Sequence, residues 1–194
     1  MKDKVAVITG ASSGIGRATA LRFAADGAVV VAVGRNQAEL GNLRDEAHRS
    51  GGIVKPLLAD VTETSQVDRV VTETAESYGR IDILVNAAGI IQNGSIEDTT
   101  LDAWDKMMNI NLRSMFYLTQ KVMPHLVASK GNVVNVSSVT GLRAFPNVLA
   151  YCVSKAGTDQ FTRCVALEMA PKGVRVNAVN PGVVVTNLHK RGGM

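Results

Sequence analysis

The sequence has 194 residues, of which 46% are hydrophobic and 20% are charged, the composition of an ordinary globular protein. Its formal charge of +4 comes from 21 basic and 17 acidic residues that are interspersed along the chain, without the basic runs that bind nucleic acid. Its apolar runs are far shorter than the roughly 20 residues that a bilayer-spanning helix needs. We therefore expect neither a nucleic-acid nor a membrane partner.

The first residues and the two cysteines indicate the compartment. Residues 1–4 lead directly into a strand-like run, without the apolar stretch and cleavage site of a signal peptide. Cys152 and Cys164 fall in one predicted helix, and no histidine or cysteine lies at metal-ligand spacing around them. We predict a cytoplasmic protein with buried, reduced thiols and no bound metal.

Short β-branched runs alternate along the chain with longer segments of helical period. The predicted strands are 5–9, 29–33, 53–58, 81–86, 132–136 and 174–179. The predicted helices are 15–25, 37–49, 65–78, 101–129 (two helices or one long bent helix) and 153–170. Several strand runs are continuously apolar, as expected for parallel strands covered on both faces. The pattern predicts one α/β domain over residues 1–194, a doubly wound Rossmann-type parallel sheet with helices on both faces and ligands at the carboxyl ends of its strands.

A glycine-rich segment, TGASSGIGR at residues 9–17, follows the first predicted strand and leads into a helix. Glycines there let the backbone turn tightly and approach a pyrophosphate at the positive end of the helix. The spacing Gly-x-x-x-Gly-x-Gly departs from Gly-x-Gly-x-x-Gly and lacks the Gly-Lys-Ser/Thr ending of a P-loop. A glycine turn without a ligand is the alternative. The residues predicted to bind the cofactor phosphates are Gly10, Ser12, Ser13, Gly14, Ile15 and Gly16.

The end of the second strand reads Gly34-Arg35-Asn36 and carries no acidic residue. A site specific for an unphosphorylated ribose usually has an acid there, which would repel a 2′-phosphate. Arg35 can instead form charge-assisted hydrogen bonds to that phosphate. We predict NADP(H) in preference to NAD(H), with Arg35 and Asn36 at the adenosine end; a solvated loop arginine is the alternative.

Short polar or small residues follow the third and fourth strands. They are Asp60 and Val61, and then Asn86, Ala87, Ala88 and Gly89. Small residues at the ligand edge of the sheet would admit a flat ring. A turn or a helix cap is the alternative for Asp60 and for Asn86.

The residues with the clearest chemistry follow the fifth strand. Ser137 and Ser138 end that strand, and Tyr151 and Lys155 lie four residues apart at the start of the next helix. Side chains at that spacing share a helix face, so the ammonium can favour the ionised phenol. Tyr151 could then exchange a proton with a substrate oxygen while Ser138 binds the same oxygen. An ordinary exposed helix face is the alternative for the Tyr and Lys pair.

The ordered set of motifs resembles the short-chain dehydrogenases/reductases, and most closely their oxoacyl-carrier reductase and small-carbonyl reductase branch. The matches run from residue 9 to residue 186: TGASSGIG, Asp60-Val61, NAAG at 86–89, Asn111 in MNINL, SSVTG at 137–141, YCVSK at 151–155 and NPGVVVT at 180–186. The resemblance implies a catalytic tetrad of Asn111, Ser138, Tyr151 and Lys155, in which Asn111 supports a water that connects Lys155 to solvent. From spacing alone, Asn111 would be a mid-helix kink or a cap.

The resemblance also assigns the cofactor contacts. It implies that Asp60 lies at the adenine, the segment at Asn86 near a cofactor ribose, and Tyr151 and Lys155 at the nicotinamide end. The residues that it places at the nicotinamide amide are Pro181, Gly182, Val184 and Thr186. Residues 142–145 are expected to line the substrate pocket.

The resemblance further implies an assembly and a shorter sheet. Family members are commonly tetramers or dimers, joined partly through helices that correspond to 112–129 and 153–170, so we expect a homo-oligomer. The sequence ends a few residues into the segment that would cover the substrate, before the family's last helix and strand. We therefore predict a sheet that lacks this last strand.

Two functional hypotheses follow. The first is an oxidoreductase that transfers a hydride between NADP(H) and a carbonyl or secondary alcohol substrate, which the complete tetrad favours. The second is a non-catalytic dinucleotide-binding or interaction protein, because a site without its cover admits water and positions a substrate poorly.

Overall fold

Six parallel strands form one sheet in the computed structural model, which describes residues 1–186 and 188. The strands are β1 Val5–Thr9, β2 Val29–Gly34, β3 Ile53–Leu58, β4 Ile83–Asn86, β5 Asn132–Val136 and β6 Arg175–Val179. Their order in the sheet is β3-β2-β1-β4-β5-β6, and every pairing is parallel. The order reverses between β1 and β4, so the predicted doubly wound Rossmann-type sheet is confirmed. Within the described residues the sheet has six strands, also as predicted.

Helices cover both faces of this sheet. They are α1 Gly14–Ala25, α2 Gln37–Arg49, α3 Thr64–Tyr78, α4 Leu101–Met108, α5 Ser114–Ser129 and α6 Leu149–Met169. A π-helical turn, Asn109–Arg113, joins α4 to α5 without a break, so the predicted segment 101–129 is one helical run with a widened turn. The last helix begins at Leu149, four residues before its predicted start.

The core lies on both sides of the sheet. In β1, Val7 packs into the cluster that includes α3 and α5, whereas Ala6 and Ile8 pack into the cluster that includes α1 and α2. All five residues of β1 are buried, which confirms the expectation from its continuous apolar run. The edge strand β3 differs, because Ile53 and Leu58 are exposed.

No helix in the described part is long and apolar enough to cross a bilayer.

Both cysteines lie in α6 and are free, but Cys164 is exposed and Cys152 is partly exposed. The prediction of buried thiols was therefore wrong: a long helix packed by one face leaves positions on its outer face in solvent.

Candidate active site

A cleft of about 760 Å³ lies at the carboxyl ends of the strands, within the range of small-molecule sites. Segments that follow all six strands line it, because the carboxyl ends of parallel strands meet at one edge of the sheet. The predicted site residues that line it are Gly10, Ser12, Ser13, Gly14, Ile15, Gly16, Arg35, Asn36, Asp60, Val61, Ala87, Ala88, Gly89, Ser138, Tyr151, Lys155, Pro181, Gly182, Val184 and Thr186. Asn86 and Asn111 are not among the lining residues.

The glycine-rich loop fits a dinucleotide pyrophosphate by shape and by charge. A Cβ on Gly16 would lie 2.5 Å from the Gly10 carbonyl oxygen, so α1 approaches the loop at a distance that only glycine allows. Gly10 itself has a φ of +65°, which favours glycine. Ser13 caps α1 without a side-chain hydrogen bond, and no acidic residue lies in the first turn. The positive end of α1 is therefore directed at the cleft without an internal anion.

The adenosine end contains an ion pair. Arg35 Nη1 lies 3.3 Å from Asp60 Oδ2, and the Arg35 side chain is 66% exposed beside the cleft. Burial acts to raise the pKa of Asp60, but hydrogen bonds from Thr62 and the charge of Arg35 outweigh it and hold this pKa below its ordinary value. Asn36 is the N-cap of α2, with its Oδ1 accepting from the backbone N–H of Glu39 at 3.1 Å.

The side chain of Asn86 lies in the core and not in the cleft. Its Nδ2 donates to Asn135 Oδ1 at 2.9 Å and to Thr119 Oγ1 at 3.1 Å. As the last residue of β4, Asn86 turns this side chain toward α5 and β5, and both donors of the amide are occupied there. Asn86 itself does not line the cleft, but Ala87, Ala88 and Gly89 of the segment predicted to lie near a cofactor ribose do.

Thr9 holds that backbone in place, a role that sequence reasoning missed. Its Oγ1 accepts hydrogen bonds from the backbone N–H groups of Ala87 and Ala88, both at 3.1 Å. The loops after β1 and β4 are thereby fixed side by side. The signal available in the sequence was a single hydroxyl residue, Thr9, at the end of the otherwise apolar run VAVIT.

Ser138 and Tyr151 are brought together at the floor of the cleft. Burial raises the pKa of Tyr151, while a hydrogen bond with Ser138 acts in the opposite direction. Ser138 Oγ also accepts from the backbone N–H of Thr140 at 3.2 Å, so its own hydroxyl hydrogen remains available to donate. Burial is the larger of the two effects, so the pKa of Tyr151 lies above its ordinary value in the protein without a bound cofactor.

Lys155 is held behind the tyrosine on the same face of α6, as its spacing predicts. Its Nζ lies 5.6 Å from the centre of the Tyr151 ring and donates to the Val136 carbonyl oxygen at 2.8 Å. Burial lowers the pKa of Lys155 to about 8, and the negative charge of Asp159 opposes this shift. The lysine therefore titrates closer to neutrality than a solvated one.

Asn111 lies in the π-helical turn, which supports the interpretation of a kink within a helix. It is 3% exposed, and its amide exchanges two hydrogen bonds with the backbone of Ile90, at 2.8 and 2.9 Å. A third bond of 3.0 Å joins its Nδ2 to Ser154 Oγ on α6. A Cβ on Gly89 would lie 3.3 Å from Asn111 Oδ1 and 3.8 Å from Lys155 Nζ, so this glycine leaves open the space between the two side chains.

The segment that precedes α6 lines the cleft only in part. Phe145 is a lining residue, as expected, and so are Pro146 and Val148. Residues 142–144 are exposed and do not line the cleft, because the chain turns outward after the 3-10 turn Val139–Gly141. The expectation for those three residues is corrected.

Comparison with known proteins identifies the family. Residues 4–192 match the family model described as short chain dehydrogenase. The chain is 41% identical over 192 residues to the 3-oxoacyl-(acyl-carrier-protein) reductase FabG of Thermotoga maritima, covering 98% of this chain and 78% of that protein. It is 38% identical over 190 residues to a 3beta-hydroxysteroid dehydrogenase of Mediterraneibacter gnavus, covering 97% of this chain and 69% of that protein.

Solved structures agree. A short-chain dehydrogenase/reductase of unknown function from Caenorhabditis elegans, crystallised with cofactor, matches with a TM-score of 0.94 and 40% identity, over 100% of this chain and 74% of that one. A dehydrogenase/reductase from Sinorhizobium meliloti matches with a TM-score of 0.93 and 33% identity, over 97% and 75%. The resemblance found in the sequence is confirmed, including its oxoacyl-carrier reductase-like branch. The chain belongs to the short-chain dehydrogenase/reductase family of NAD(P)-dependent oxidoreductases.

Proposed function

We propose that this chain is an NADP(H)-dependent oxidoreductase that interconverts a carbonyl compound and a secondary alcohol, with Tyr151 as the general acid and base. The observation that carries the proposal is that Tyr151, Ser138 and Lys155 line one cleft with the glycine-rich loop, with the ammonium nitrogen 5.6 Å from the centre of the phenol ring. This intact arrangement gives no support to the non-catalytic alternative.

The catalytic step assigns a role to each of these side chains. A nicotinamide cofactor in the cleft supplies the hydride in reduction and accepts it in oxidation. In reduction, Tyr151 donates its phenolic proton to the substrate oxygen, and in oxidation it removes that proton. Ser138 donates a hydrogen bond to the same oxygen and so stabilises the negative charge that develops there. The positive charge of Lys155 stabilises the phenolate that forms when Tyr151 gives up its proton.

The protonation state of Tyr151 suits the role of general acid. The raised pKa of Tyr151 keeps the phenol protonated at neutral pH, which is the form that a general acid requires. Asn111 fixes the Ile90 backbone and α6 around Lys155, and its role in supporting a water that connects Lys155 to solvent stays a prediction.

Cofactor preference follows from the adenosine end. Arg35 lies at the edge of the cleft, and most of its side chain is exposed. The end of β2, Gly34-Arg35-Asn36, carries no acidic residue that would repel a 2′-phosphate. The ion pair with Asp60 uses only the Nη1 nitrogen of Arg35, which leaves Nη2 and Nε to donate to a phosphate. These features support NADP(H) over NAD(H).

The substrate end has apolar walls. Ile91, Phe145 and Val148 line the cleft close to the Tyr151 region, with Ile91 and Tyr151 in one buried cluster against which Val148 packs. A substrate with an apolar body beside its carbonyl group fits these walls. Two similar proteins are named for such compounds, an oxoacyl thioester reductase and a hydroxysteroid dehydrogenase.

Exposed apolar residues on α5 and α6 support a homo-oligomer. Phe116 and Phe161 meet edge to face with ring centres 6.3 Å apart, and Phe116, Val153 and Leu167 are exposed. Aromatic side chains such as this pair are enriched at protein–protein interfaces. Light scattering on the purified protein measures the mass of the assembly, and a monomer at all concentrations would contradict this part of the proposal.

Cofactor oxidation against a panel of substrates tests the function directly. We expect turnover of NADPH with ketones, diketones or oxoacyl thioesters, and a higher KM with NADH. Turnover with a clear NADH preference would overturn the Arg35 argument. Tight NADPH binding without turnover of any carbonyl compound would overturn the proposed catalysis.

A further inference from the structure

A buried carboxylate lies behind the residues that we place in catalysis. Asp159, one turn after Lys155 on α6, is 5% exposed. Both of its oxygens lie 3.0 Å from the side-chain nitrogen Nδ2 of Asn180, which follows β6. Removing a carboxylate from water costs free energy unless hydrogen bonds and an opposite charge compensate for the lost hydration.

Asn180 links Asp159 to the backbone of Ser138. The same Nδ2 donates to the Ser138 carbonyl oxygen at 3.0 Å. That carbonyl oxygen also accepts from the backbone N–H of Gly141 at 3.0 Å, in the 3-10 turn after Ser138. A Cβ on Gly141 would collide with Asp159 Oδ2, so the turn packs directly against the carboxylate. Asp159 therefore fixes the backbone from which the Ser138 hydroxyl projects.

The charge of Asp159 also reaches Lys155. The two groups that titrate beside the ammonium, Tyr151 and Asp159, lie on α6 itself, one turn before and one turn after the lysine. Within residues 1–186 and 188, the contacts of the ammonium with other elements are to neutral groups: the Val136 carbonyl on β5, and Gly89 with the amide of Asn111 close to it. In the part of the chain that the structure describes, the Asp159 carboxylate is thus the negative charge that opposes the loss of the Lys155 proton.

We propose that Asp159 is a positioning residue for this reaction, which fixes Ser138 through Asn180 and stabilises the Lys155 ammonium through its charge. The inference rests on the proposed function for its kinetic consequences, but the contacts do not depend on turnover. Asp159 thus has two roles, one through its hydrogen bonds to Asn180 and one through its charge, and two substitutions test them separately.

Asp159→Asn removes the charge and keeps an oxygen that can accept from Asn180. We expect the titration of Lys155, followed by NMR on protein with 13C-labelled lysine and assigned with Lys155→Arg, to move down by about 0.5 to 1 pH unit. The basic limb of kcat should move by the same amount. If Asp159→Asn does not fold, Asp159→Ser is titrated in its place. An unchanged Lys155 titration would overturn the charge role.

Asn180→Ala keeps the charge and removes the link to Ser138. We expect kcat to fall about tenfold at every pH, with the KM for NADPH and the Lys155 titration unchanged. Asp45→Asn, an exposed carboxylate on α2 paired with Arg44, is the matched control and should change neither readout. An unchanged kcat in Asn180→Ala would overturn the positioning role. The NMR titration needs no turnover, so a wild-type protein without activity would refute the proposed function and still decide the charge role.

Discussion

The Lys155 ammonium lies on the same face of α6 as Tyr151, with its nitrogen 5.6 Å from the centre of the phenol ring. Burial acts on both groups: it raises the pKa of the tyrosine and lowers that of the lysine to about 8. Each shift favours the neutral form of the side chain. At neutral pH the Tyr151 phenol is therefore protonated, and Lys155 loses its proton and its positive charge in mildly alkaline solution.

The first prediction concerns pH. Below about 8 Lys155 carries its proton, and as pH rises through that value the positive charge that stabilises the Tyr151 phenolate disappears. We expect kcat for carbonyl reduction to fall with rising pH around about 8, measured in buffers of constant ionic strength. In Lys155→Arg the cation persists throughout the range, so any remaining activity should lack this limb. A wild-type kcat that stays level well above this pH would contradict the account.

The second prediction concerns the cofactor phosphate. Arg35→Ala removes a charge-assisted donor at the edge of the cleft, so the KM for NADPH should rise about tenfold while the KM for NADH is unchanged. The exposure of Arg35 keeps this estimate at the low end of such contacts. Arg44→Ala, another exposed arginine, on α2, provides the control and should affect neither cofactor. Equal KM changes for the two cofactors would show that Arg35 does not contact a 2′-phosphate.

The third prediction separates two helical glycines. Gly16→Ala forces a Cβ to within 2.5 Å of the Gly10 carbonyl oxygen, so it should weaken NADPH binding and lower the free energy of unfolding by about 1–3 kcal/mol. Gly41→Ala, inside α2, meets nothing within 4 Å and should raise that free energy by about 0.5–1 kcal/mol. Urea unfolding and NADPH titration measure both effects. A Gly16→Ala protein that binds NADPH normally would be at odds with a tightly apposed loop.

The sheet and its ligand edge could be predicted because their signals are local. The apolar run of β1 and the glycines after it act within a few residues, and both were placed correctly. Asn111 shows where local signals end. Its partners, Ile90 and Ser154, lie 21 and 43 residues away, so only the resemblance to a family pointed to a site residue in what spacing alone reads as a kink.

The features that the sequence could not predict share one physical reason. Whether the Asn86 amide faces a cleft or a neighbouring strand depends on how β4 and β5 pair, and the Tyr151 pKa depends on how deeply the ring is packed. The exposure of Cys164 likewise depends on which face of α6 is covered. Side-chain direction and burial are tertiary properties, and the spacing of residues along the chain does not determine them.

The measurement that tests the central claim most directly is kcat for carbonyl reduction by Tyr151→Phe, with NADPH binding measured on the same protein. Phenylalanine keeps the buried ring and removes only the proton that Tyr151 donates. We predict a kcat lowered about 10²- to 10⁴-fold with NADPH binding retained. A Tyr151→Phe protein that reduces the substrate at the wild-type rate would contradict the account.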